Sequence, residues 1–118
     1  MKLSRAFLFL LVIFAPALAR ADMSIATYQD LLRQSEGSKM LVQTYVGGVA
    51  SGFMYANTAL QQKGQKPLFC RDAGLDFKEA NSIMDTAVTT YMRRTGADPN
   101  MLVEVLLLVQ LQRLYPCA

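Results

Sequence analysis

The chain has 118 residues, with 12 lysines and arginines against nine acidic residues, two cysteines and no histidine. That length suits one small domain. Without histidine or a spare thiol, and with only scattered carboxylates, the usual parts for acid-base, nucleophilic or zinc chemistry are missing, so neither an enzyme nor a cofactor is expected.

Lys2 and Arg5 precede an apolar run over residues 6–15, followed by small residues at Ala15, Ala17, Ala19 and Ala21. This is the layout of a secretory signal. A spanning helix needs roughly 20 apolar residues, and this run meets Pro16 well before that, so residues 1–21 read as a signal peptide cleaved after Ala21. Residues 22–118 are then the mature domain, exported to an oxidising compartment, where Cys70 and Cys117 are expected to pair. Cleavage removes Lys2, Arg5 and Arg20, leaving nine basic and nine acidic residues. With no basic excess and no basic stripe, binding to nucleic acid is not expected.

Within the mature domain, Ile25, Tyr28, Leu31 and Leu32 stand at helical spacing, and Ser35-Glu36-Gly37-Ser38 breaks the pattern. The spacing predicts a short first helix over 27–34. In the next segment, 39–63, Val42, Tyr45, Val46, Val49, Phe53, Ala56 and Leu60 share one face of a second, long helix. It holds Gly47, Gly48 and Gly52, each costing roughly 1 kcal/mol relative to alanine in an exposed helix interior. Gly48, Gly52 and Ala56 are spaced by four, a stripe of small residues suited either to close packing inside the chain or to a homodimer interface. Residues 40–60 carry no formal charge, but Gln43, Thr44, Tyr45, Ser51, Asn57 and Thr58 make this a poor membrane span.

Gly64, Pro67 and Gly74 mark a loop containing Cys70. Asp76, followed three positions later by Glu79, predicts a capping box in which both side chains satisfy free backbone donors at the start of a third helix. Ala80, Ile83, Met84, Ala87, Val88, Tyr91 and Met92 form its apolar face, while Lys78, Asn81, Ser82, Asp85, Thr89 and Arg93 lie opposite, and Gly96 ends it. Asp98-Pro99 repeats the start signal for a fourth helix reaching about Leu114, before Pro116. That helix is apolar nearly all round, so it is either central in the bundle or lends a second face to another chain. The expected fold is therefore all-α: four helices stapled by one disulfide.

The order Tyr45-Val46-Gly47-Gly48-Val49-Ala50, Phe69-Cys70, Tyr91-Met92 and Leu114-Tyr115-Pro116-Cys117 resembles the Rap/Tai family of immunity proteins, across about residues 28–117. The resemblance implies a small helical periplasmic protein, often dimeric, that binds and inhibits a peptidoglycan amidase delivered by type VI secretion. It also implies that Cys70 and Cys117 form the family disulfide. An exported, catalytically unequipped scaffold suits such a role. Two connections can carry the contact, residues 65–72 beside the staple and residues 93–100; the second offers Arg93, Arg94, Asp98 and Asn100 on a turn shaped by Gly96 and Pro99. The same residues also serve to end one helix and cap the next. An acid-stress chaperone of the Hde type is the alternative, although its first cysteine is expected before the opening helix rather than mid-chain. An unassigned exported binding domain is a further one.

Overall fold

A computed structural model describes residues 22–118; the expected signal peptide and its cleavage site fall on residues outside these. Four helices follow one another: α1 (Ile25–Gln34), α2 (Glu36–Gln62), α3 (Phe77–Met92) and α4 (Val103–Leu114). The domain is all-α, and Cys70 is bonded to Cys117.

The break between α1 and α2 is a single residue rather than the four predicted. Ser35 is extended, ends α1 and caps α2 by accepting the Ser38 N–H at 3.1 Å. Glu36 and Gly37 then lie inside the first turn, where the acidic side chain favours the positive end of the helix. At its other end α2 closes on Gly64 with φ +68°. Gln65 N–H reaches the Leu60 carbonyl at 2.8 Å and Gly64 N–H the Gln61 carbonyl at 3.0 Å, the paired bonds by which a left-handed residue satisfies the last carbonyls of a helix.

Val42, Val46 and Ala50 of α2 face Ala80, Met84, Ala87 and Val88 of α3 and Val103, Leu107 and Leu111 of α4 in one buried core, joined by Ile25 and Tyr28 of α1 and by Phe69 of the loop. α2 packs along α1 and α3, and α3 packs along α4.

The start of α4 differs from the prediction. Asp98 does not cap it; its carboxylate accepts the Asn100 N–H at 2.8 Å and forms a turn, and the helix begins at Val103 after an uncapped Leu102. The cause is tertiary. Residues 22–26 run antiparallel to this segment, with a bridge between Ser24 and Leu102. Val103 N–H donates to the Met23 carbonyl, which replaces a side-chain cap, while Ile25 and Ala26 N–H donate to the Met101 and Pro99 carbonyls, all at 2.9 Å. With Ser24 Oγ accepting the Thr27 N–H, the first free amides of α1 are satisfied as well.

Asp76 caps α3 through the Glu79 N–H at 2.7 Å, as the capping box predicts. The reciprocal half is absent, because the Glu79 carboxylate turns to Arg71 instead. Gly96, at φ +76°, lies in the turn that follows α3.

Candidate partner-binding surface

The staple holds more than two sulfurs together. Cys70 N–H donates to the Tyr115 carbonyl at 2.8 Å, and the buried Asn57 of α2 clamps the same loop, its side chain taking the Leu68 N–H at 2.7 Å and donating to the Phe69 carbonyl at 3.0 Å. Beside it Arg71 uses every guanidinium donor. Nη1 and Nη2 bind the two Glu79 oxygens at 2.7 and 2.8 Å, Nη1 also bonds the Tyr115 hydroxyl, and Nε and Nη2 reach the Ala73 and Gly74 carbonyls. The guanidinium also stacks over the Tyr115 ring, 4.8 Å from its centroid. Its pKa is pushed above the ordinary arginine value, chiefly by the hydrogen bonds to Glu79. Arg71 thus ties the 65–72 loop to α3 and to the chain end, which leaves Gln65, Lys66 and Asp72 as that loop's exposed polar groups.

The 93–100 connection is presented differently. Arg93, Arg94, Asp98 and Asn100 are all exposed. The backbone beneath them is nevertheless fixed: Asp98 N–H donates to the Tyr91 hydroxyl at 3.1 Å, Arg94 N–H to the Tyr91 carbonyl, and the Arg94 guanidinium lies 5.9 Å from the Tyr91 ring centroid. Pro99 is held through its carbonyl to α1. Exposed polar groups on a turn with a fixed backbone can meet a partner with little backbone ordering cost on binding.

A groove of about 520 Å³ opens between α1, α2 and α3. Lys78, Asn81, Ser82 and Asp85, on the polar side of α3, form one wall, and Tyr28, Lys39 and Gln43 complete it from the other helices. Asn81 bridges the walls by donating to the Gln43 carbonyl at 3.0 Å. Burial, and then the charge of Asp85, push the Tyr28 hydroxyl from 10.0 up to about 12, so it stays a neutral donor. The polar face of α3 was visible in the sequence; the wall opposite it is a product of packing.

The small-residue stripe behaves otherwise than close packing within the chain requires. Gly48 and Gly52 are exposed, and a Cβ added at either meets nothing within 4 Å among the described residues. The close approach is at Gly47, where a Cβ would lie 2.9 Å from Phe77 Cδ2. Around Gly48 the surface is apolar, with Leu41 62% and Tyr55 76% exposed. α4 likewise buries Val103, Leu107 and Leu111 while leaving Val105, Val109 and Leu114 outside.

Among the described residues, no group of three or more cysteines and carboxylates gathers to hold a metal ion, and no helix is long and apolar enough to cross a membrane. No family model matches the chain, and no curated protein or solved structure matches it significantly.

Proposed function

We propose that the mature domain is a periplasmic immunity protein that binds and inhibits a peptidoglycan amidase effector of type VI secretion. One observation carries most of this reading. Tyr115-Pro116-Cys117, one of the two sequence elements most specific to the Rap/Tai resemblance, is joined to Phe69-Cys70, another element of it, by the disulfide and the Cys70–Tyr115 backbone bond. Motifs that meet in space support a shared framework more strongly than motifs that merely follow one another.

The inhibitory contact is assigned to the 93–100 turn, where Arg93, Arg94, Asp98 and Asn100 project from a backbone held by Tyr91. A second copy is assigned to the exposed face of α2, where Gly48 and Gly52 lower the surface between Leu41 and Tyr55. Replacing Arg94 and Asn100 together with alanine is expected to leave the helical circular-dichroism signal intact and to weaken capture of a peptidoglycan amidase by at least tenfold. A variant that inhibits as fully as the parent would remove the turn from the interface. Failure of the parent to bind any peptidoglycan amidase would remove the immunity reading itself.

A further inference from the structure

Glu104, on the first turn of α4, is divided between two environments. Its Oε1 accepts the Met23 N–H at 3.1 Å, whereas Oε2 is buried and has no hydrogen-bond partner among the described residues. An unpaired buried carboxylate oxygen is among the costlier polar defects a small domain can hold, and the positive end of a helix offsets only part of that cost. The geometry says where a partner can come from. Met23 is fixed on both sides, through its N–H to Glu104 and its carbonyl to Val103, so the preceding nitrogen, that of Asp22, lies about 3–4 Å further along the chain by covalent geometry alone.

In the uncut chain that nitrogen is a neutral amide carrying one hydrogen. Hydrolysis of the Ala21–Asp22 bond by a signal peptidase changes its chemistry: water adds hydroxyl to the Ala21 carbonyl carbon and hydrogen to the Asp22 nitrogen. The departing segment keeps a carboxylate, and the freed amine takes up a proton to become an ammonium with three donors. Resting on the export reading above, we propose that the new α-ammonium of Asp22 pairs with Glu104 Oε2, so that removal of residues 1–21 adds an ion pair to the backbone bonds that already hold residues 22–26 against residues 98–104. Processing then adds to the stability of the fold, since the segment that carried the signal is also the one that completes the α4 N-terminus.

The test uses protein purified from the periplasm, with its N-terminal residue established by mass spectrometry. NMR titration of the α-amino group should place it about one unit above the ordinary range of roughly 7.7–8.0, because the carboxylate favours the charged form. Glu104→Gln should return it to that range. Selective acetylation of the same amine in the parent should lower the melting temperature by several degrees, a comparison that needs no variant to fold. An ordinary amine titration in the parent, or an elevated one that Glu104→Gln leaves unchanged, overturns the pairing while the export reading stands. A mature chain that begins at a residue other than Asp22 overturns the processing position and the pairing together.

Discussion

The backbone N–H of Cys70 donates to the carbonyl of Tyr115 at 2.8 Å, two residues before the cysteine to which Cys70 is covalently joined. The staple therefore has a non-covalent companion, and the Asn57 clamp and the Gln112 bond to the Leu68 carbonyl hold the same loop independently. Closing a loop with a sequence separation of 47 is worth about 4 kcal/mol in the chain-entropy model. Cys70→Ser is expected to lose up to that amount in urea unfolding while keeping its helical circular-dichroism signal at room temperature. A variant as stable as the parent would show that the hydrogen bonds alone close the loop.

Arg71 joins the loop, α3 and the chain end through one side chain, and its planar fork is what makes the arrangement possible. Lysine offers a point charge with no second parallel bond. Arg71→Lys is therefore expected to cost about 1–2 kcal/mol despite retaining the charge, because the partly exposed Glu79 pair is screened and the lost value lies in the geometry. A double-mutant cycle with Glu79→Gln should give a coupling of roughly 1 kcal/mol. Additive losses would mean that the two groups act separately.

Periodicity made the helices and their buried faces legible: Val42 and Val46 in α2, and Ala80, Met84 and Ala87 in α3, stand where helical spacing places them. The contacts between elements were not legible. Asn57 reads in the sequence as one more neutral polar residue, since its partners at Leu68 and Phe69 lie in a loop whose path no period encodes. Asp98-Pro99 carries a genuine local start signal, yet residues 22–26 come alongside and supply the first bond of α4, which postpones the helix to Val103. For the candidate surface, the exposed charges of the 93–100 turn were visible, whereas its anchoring on Tyr91 and the completion of the groove by Tyr28 and Lys39 depend on packing.

The glycines of α2 show how spacing alone misleads. Gly48 and Gly52 lie two residues beyond the buried Val46 and Ala50, about 200° around the axis, on the outward face. Gly52→Ala is accordingly expected to stabilise the domain by up to about 1 kcal/mol through helix propensity alone. Gly47→Ala should be at least about 1 kcal/mol less favourable than that, because its Cβ displaces the Phe77 ring. Gly52→Leu should unfold at or above the temperature of the parent at low concentration, since leucine is also a good helix former, yet fail to self-associate in sedimentation if a second copy seats on α2. Normal association by this variant would exclude that face as the dimer interface.

Tyr28 is 3% exposed, and burial first, then the charge of Asp85, raises its pKa from 10.0 to about 12. In the unfolded chain the phenol returns to its ordinary value near 10. Between these two values the unfolded chain releases a proton that the folded state retains, so ionisation favours unfolding. The stabilising contribution of the neutral phenol is thus complete below about pH 10 and lost as the pH rises towards about 12, a total of up to roughly 3 kcal/mol. Tyr28→Phe removes this dependence while keeping the ring. The parent is expected to lose more stability than Tyr28→Phe between about pH 9.5 and 11.5 in urea unfolding, and Tyr28, read as the difference in tyrosinate absorbance between the two proteins, should resist ionisation until the protein unfolds. Parallel losses in the two proteins, or ionisation of Tyr28 near pH 10 in the folded state, would show that its hydroxyl reaches water through the groove.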